Sequence, residues 1–299
     1  MNRYAWMTGE HGMLWNFHDN KVEKPCKGEC VILKQFSGLE YANGTEAMID
    51  SGMWLHHMIH LVTGPNRWDP VCYNRWYSSP HFGVNGVPWK TERYFSSGNE
   101  RSVFNFNADG KDLSSGTGYY VGPDDTFDYL VDLMNMNMED KVVYLTMTYD
   151  ILDGPLRPGW KNTKVVWLDA DACGLSELPP PVEKGKFEMT SVPWKPNFEG
   201  KVIAAVGHLH DGGTDIEIRT NNNTQLCNSN ARYAETPQYK FTWGKMGDDE
   251  LAVDHISSMS HCGVKDTMLS KDQEWSISGK YDFDQRAGNL DHGKQSEVS

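Results

Sequence analysis

The chain has 299 residues, 41 acidic and 28 basic, for a formal charge of -13 at pH 7. The acidic excess is spread along its length, which excludes the basic stripe that a nucleic-acid backbone requires. No stretch approaches the roughly 18 consecutive apolar residues of a membrane span, and at roughly 100 to 200 residues per domain the length points to two domains.

Tryptophan (11), tyrosine (13) and glycine (28) are plentiful and the apolar runs are short, the pattern of an all-β chain built from many antiparallel strands and turns. The first predicted strands are CVILKQF (30–36) and MWLHHMIHLV (53–62), with the turn signal EYANGTE between them. Residues 64–91, rich in Trp, Gly, Asn and Pro, read as long loops. After them come RYFSSGNERSVFNF (93–106), GTGYYVG (116–122) and KVVYLTMTYDIL (141–152), the last with Val143, Leu145, Met147 and Tyr149 on one face. FDYLVDLMNMNMED (127–140) fits a short helix or a strand with a turn. Its Met134, Met136 and Met138 suit thioether ligation of copper or gap-filling core packing, of which packing is the commoner role.

The boundary falls in ELPPPVEKGKFEMTSVPWKP (177–196), where Pro179–Pro181 cannot donate sheet hydrogen bonds and stiffen the chain. It divides an N-terminal domain, 1–176, from a C-terminal one, 177–299. Beyond it, strands are predicted at KVIAAVGHLH (201–210), TDIEIRT (214–220), HISSMSH (255–261) and EWSISGKYDF (274–283). The polar end, 284–299, carries no clear stop signal, so a truncated second sandwich is one expectation.

Cys26, Cys30, Cys72, Cys173, Cys227 and Cys262 make an even set, and Asn43 and Asn222 head Asn-X-Ser/Thr acceptors for glycosylation. Together they favour an oxidising, extracellular setting, with the signal peptide lying outside this chain; buried thiols of a cytosolic protein are the alternative. Cys227 and Cys262 suit a disulfide in the second domain. One or two of Cys26, Cys30 and Cys72 suit staples in the first, and the connectivity stays open.

Two histidine clusters carry the chemistry. In GHLHDGG, His208 and His210 stand two apart, so period-two geometry turns both imidazoles to one side; Gly207, Gly212 and Gly213 allow close backbone approach, and Asp211 or Asp215 could accept an outer ring proton. In WLHHMIHL, a regular strand turns His56, Met58 and His60 to one face and His57 and Ile59 to the other. Adjacent histidines can then share an ion only where a strand end or bulge breaks the pleat. Core and surface histidines are the bland alternatives at both places. Imidazole and thioether donors with few carboxylates suit copper better than calcium or magnesium. No His-Glu-X-X-His helix, Gly-X-Ser-X-Gly elbow, P-loop or dinucleotide fingerprint is present. Arg93, Glu100 and Arg101 could bind a substrate carboxylate, although salt-bridged strand charges are commoner. Tyr119, Tyr120 and tryptophans 54, 68, 76 and 89 could floor a cleft or pack a core.

The strings GLEYANGTEAMIDSGMWLHHMI, RYFSSGNERSVF, GYYVGPDDTFDYLVDLMN, VVYLTMTYDIL and GHLHDGGTDIEI resemble the stress-up-regulated nodulin (SURNod) family of plants and fungi. That family is distantly similar to peptidylglycine α-hydroxylating monooxygenase and its ascorbate-dependent copper relatives. The resemblance runs from about residue 22 to residue 283. It implies two tandem antiparallel jelly-roll-like β-sandwiches with up to two copper ions, one held by a His-His pair and a third His, the other by His-X-His and a Met. Ascorbate is the implied reductant, dioxygen the co-substrate, and a small molecule or peptide the substrate. Position by position, His56 and His57 match the first pair, and His208 and His210 the second.

Two departures stand out. Thr148 occupies the position where the third His is expected, leaving His60 or His81 as replacements. The strand that supplies the Met lies beyond EWSISGKYDF, leaving Met259, with His255 and His261 near it, as the internal substitute. The expected function is that of a secreted copper protein related to ascorbate-dependent monooxygenases. The alternative is a non-enzymatic, stress-associated copper binder that kept the fold.

Overall fold

A computed structural model describes residues 12–72, 90–108, 113–137, 139–171, 173, 178–240, 254–264, 266–291, 294–295 and 298. Among these residues the chain is almost entirely β, with only single-turn 3-10 segments besides strands. It divides into two compact units, the first running through Val166 and the second from Trp167. The break lies upstream of the Pro179–Pro181 run. His81, Trp76, Trp89 and Met138 lie outside the described residues.

The first unit contains β1 (Gly12–Val22), β2 (Cys30–Tyr41), β3 (Met53–Thr63), β4 (Thr91–Ser97), β5 (Phe104–Asn105), β6 (Thr117–Val121), β7 (Thr126–Asn135), β8 (Val143–Asp153) and β9 (Lys161–Asn162). One sheet has the order β1-β7-β3-β4; the other has β5-β2-β6-β9, with β8 on the remaining edge of β2. All pairs are antiparallel except the short β6–β9 pair. Between the sheets lies an apolar core that takes Ile32 and Leu39 from β2, Leu55, Met58 and Val62 from β3, Tyr94 and Phe95 from β4, and Phe127 and Val131 from β7. This is a β-sandwich. The predicted alternation of β8 is present: Val143, Leu145, Met147 and Tyr149 all pack on that core. Residues 127–140, ambiguous by sequence, form strand β7 up to Asn135. The strand β1 was not expected, because its polar Asn, Asp and His interrupt any apolar period.

Besides β1, three of these strands contain a bulge, where one residue has no partner opposite it and the alternation of faces is reset. In β2 it is Leu33, between the pairs Ile32–Ile151 and Lys34–Asp150. Cys30 and Ile32 face the core before it, and Gln35, Ser37 and Leu39 after it. In β3 it is His56, between Leu55–Leu133 and His57–Asp132. In β4 it is Tyr94, between Phe95–His60 and Arg93–Leu61, which explains why the adjacent Tyr94 and Phe95 are both in the core.

The second unit is described by itself. It contains β10 (Lys186–Thr190), β11 (Gly200–Lys201), β12 (Gly213–Thr220), β13 (Gln225–Tyr233), β14 (Ile256–Met259), β15 (Met268–Leu269) and β16 (Trp275–Asp282). A five-stranded antiparallel sheet has the order β10-β16-β12-β13-β14, and β11 pairs with β15. Leu209, Ile256, Met259, Tyr281, Phe283 and Val298 form its core. The strand predicted at 201–210 is corrected: only Gly200–Lys201 belongs to a ladder, and residues 202–210 run without one. Their backbone bonds are scattered, from Val202 N–H to Thr267 O (2.9 Å), from Cys262 N–H to Ala205 O (2.9 Å) and from Gly207 N–H to Ser229 Oγ (3.0 Å). Disulfides join Cys26 to Cys30 and Cys227 to Cys262, and no described cysteine is a free thiol.

A buried ionic network stiffens the first sandwich. Arg67 donates to Glu92 Oε1 (2.8 Å), Tyr119 Oη (3.0 Å), the Tyr120 carbonyl (2.6 Å) and Asp125, while Tyr119 and Lys164 also donate to Glu92. Gly64 leaves the room for Asp125, since a Cβ there would stand 1.8 Å from its Oδ1. Arg93 is 1 % exposed and grips Asp69 through Nε (2.7 Å) and a second nitrogen (3.2 Å). Its charge is thereby spent on the protein itself, in the salt-bridged role and not on a substrate carboxylate. Removing one member of such a network leaves buried charge uncompensated. Arg67→Ala is therefore expected to destabilise the first unit by about 3–5 kcal/mol, read as a lowered urea midpoint. A change below about 1 kcal/mol, the worth of an exposed pair, would contradict this account.

Candidate metal centre

The His56 bulge answers the geometric difficulty posed by adjacent histidines. Met53 and Leu55 face the core before it, Met58 and Val62 after it, so the two residues between, His56 and His57, are left on the opposite face together. Their ring centroids are 4.1 Å apart at 38°. Both are buried, at 4 % and 6 % exposure. Asp132 of β7, opposite His57 in the ladder, brings Oδ2 to 3.5 Å from His57 Nδ1. At 3.5 Å this is a charge neighbour and not a hydrogen bond, so the carboxylate sets negative charge beside the imidazole. Asp132 was not singled out by sequence reasoning, although an aspartate inside the apolar run YLVDLM was the available signal.

His60 faces the other way. It is fully buried among core side chains, edge-on to Phe127, and its Nδ1 lies 3.0 Å from both Gln35 Nε2 and Tyr94 Oη. The structure does not bring it to the face that carries His56 and His57. Thr148 is exposed on β8, in the other sheet.

In the second unit, His208 and His210 have ring centroids 5.6 Å apart at 89°. His210 is buried and His208 partly so. Gly207 is required here, because a Cβ would stand 1.9 Å from Ile216 Cγ2, and Gly212 has φ +87° and abuts the Phe283 ring. Asp211 does not serve the pair as expected. Its Oδ2 is 2.6 Å from Nδ1 of buried His255, and its Oδ1 accepts the Ile256 N–H at 2.9 Å. Asp215 is paired with Lys280 at 3.3 Å. Met259 is a core residue beside Leu209 and Ile256, and His261 is exposed. Each unit thus supplies two imidazoles close together on one short segment, a donor set that suits a borderline or soft transition metal.

Two compact β units, each with a close pair of imidazoles, make an all-β chain whose donors suit a transition metal. No family model matches the sequence. The chain is 30% identical over 261 residues to the probable copper-dependent oxygenase M1 of a Phoma species, covering 87% of this chain and 59% of that protein. It is 30% identical over 246 residues to the probable copper-dependent oxygenase clz3 of Cochliobolus lunatus, covering 82% of this chain and 69% of that protein. The chain belongs to this copper-dependent oxygenase-like family, and it spans three-fifths to about two-thirds of the length of these relatives.

Burial brings the His60 imidazole down from 6.5 to about 3. The unfolded chain takes up this proton near pH 6.5 and the folded chain only near 3, so the corresponding stability is fully present above pH 6.5 and is lost as pH falls from 6.5 towards 3. His60→Gln is expected to flatten the loss of stability across that window, measured as urea midpoints at a series of pH values. An unchanged slope would mean that His60 is not held neutral.

Proposed function

We propose that the chain is a secreted, two-domain copper protein that works as an ascorbate-dependent monooxygenase, with one ion at His56 and His57 and another at His208 and His210. The observation that carries this reading is the bulge at His56, which sets two neighbouring imidazoles 4.1 Å apart on one face of a rigid strand. Copper bound at such imidazoles would supply one-electron chemistry for the activation of dioxygen. The chain's own residues hold and orient: Asp132 sets a carboxylate beside His57, the sheet buries both His56 and His57, and the glycines around His208 and His210 let their backbone lie close against β12.

The relatives' names support copper and dioxygen; the SURNod-like and monooxygenase-like strings support ascorbate as reductant and a small-molecule or peptide substrate. Secretion is supported by the disulfides and by the exposed turns that carry both glycosylation acceptors, Asn43 and Asn222. No helix of the described residues is long and apolar enough to cross a membrane. A second reading, a non-enzymatic copper binder, is favoured by Thr148 standing where a third histidine is expected.

Copper titration of the wild type, His56→Ala/His57→Ala and His208→Ala/His210→Ala tests the proposal. Each double variant is expected to lose one equivalent, and both should lose ascorbate-driven oxygen uptake above that of free copper. Asp132→Asn should weaken the first site by about 10- to 100-fold. Full copper binding by a double variant removes that pair from the site. Two filled sites without copper-dependent oxygen uptake would leave the binding protein as the surviving reading.

A further inference from the structure

Strand β3 is buried on both faces, from Met53 to Val62. After the bulge it reads Met58-Ile59-His60-Leu61-Val62, in which the inward and outward sets are nearly interchangeable in size and apolarity. Slipping a strand by one residue exchanges its faces, and the hydrophobic pattern ordinarily forbids this. Here it forbids little. Without the bulge, Ile59 and Leu61 would enter the core in place of Met58 and Val62. His57 would then turn inward and His56 outward, and the pair would be split. Something other than apolarity must select the bulged register.

His60 is the one residue of that segment whose two placements differ chemically. In the bulged register its Nδ1 meets Gln35 Nε2 and Tyr94 Oη, both at 3.0 Å, in a fully buried position. Both partners are themselves delivered by bulges. Leu33 turns Gln35 inward, and the extra residue in β4 is Tyr94 itself. Tyr94 is held further by stacking on Tyr119 at 4.6 Å and 16°. In the unbulged register Leu61, not His60, would face these groups, leaving an amide and a phenol buried against a methyl group.

We propose that His60 is a positioning residue, and that its hydrogen bonds to Gln35 and Tyr94 lock β3 in the register that brings His56 and His57 onto one face. The claim concerns strand pairing and needs no metal. It deepens the copper reading without resting on it: His60 shapes the first site from behind, and does so without being a ligand.

The test replaces the lock and leaves the site untouched. In Gln35→Met/Tyr94→Phe, His60 remains but loses both partners, and both replacements fill similar space. Cross-strand backbone NOEs of the copper-free protein report the register directly. The wild type is expected to pair His57 with Asp132 and Met58 with Val131, whereas the folded double variant should show His56 against Asp132 and His57 against Val131 in a major fraction. In a His208→Ala/His210→Ala background, Cu(II) affinity of that double variant should fall by about tenfold or more; with Gln35 and Tyr94 intact, His60→Gln, which keeps a hydrogen-bonding group, should retain the wild-type register where His60→Leu does not. A folded double variant that keeps the His57–Asp132 pairing overturns the proposal, as does a His60→Leu variant with wild-type NOEs. If the wild type binds no copper at His56 and His57, the functional reading fails, while the NOE pattern still decides the lock.

Discussion

Successive side chains of a β-strand point to opposite faces, and everything distinctive about the first unit follows from breaking that rule at chosen places. A bulge costs a ladder pairing and leaves one residue unmatched, yet it is the means by which two sequence neighbours can act side by side. At His56 it joins two imidazoles; at Tyr94 it places two aromatic rings in the core. The bulge at Leu33 moves a glutamine into the same layer. Each of these shifts would be unfavourable alone. Together they supply one another's hydrogen-bond partners, so that buried polar groups are met from three strands at once.

The second unit solves the same problem by another route. His208 and His210 are two apart, so no bulge is needed, but their segment has left the ladder and depends on isolated bonds and on glycines that admit neighbouring side chains. Fewer ladder bonds mean that local geometry is fixed by contacts with β12 and with the turn at Gly212. The carboxylate beside the pair, Asp211, is committed to His255 and to the start of β14. Its position therefore ties the histidine segment to a strand more than 40 residues away in sequence.

Much of this was legible in the sequence where a single period carries the information. The alternation of β8, the place of β14, the extent of β16 and the all-β class follow from period-two patterns and turn residues. Four candidate histidines stood out by density and spacing, and the need for a broken pleat at His56 and His57, at a strand end or a bulge, followed from their adjacency. Its location did not. In β3 both faces are apolar, and a phase shift leaves no mark on a pattern that is buried throughout. Long-range pairs were equally silent: Arg67 with Glu92 and Asp125, Arg93 with Asp69, and Asp211 with His255 join residues that nothing local associates.

His60 illustrates how density alone misleads. Counted with its neighbours it looks like a third ligand, yet it stands three regular steps beyond His57, past the bulge, and an odd step along a strand leads to the opposite face. Its imidazole is neutral and spent on Gln35 and Tyr94, and its removal from the ligand count leaves the first pair with Asp132 as the one charged group that the first unit's ladder sets against it. An aspartate on the imidazole strengthens donation without occupying a coordination position.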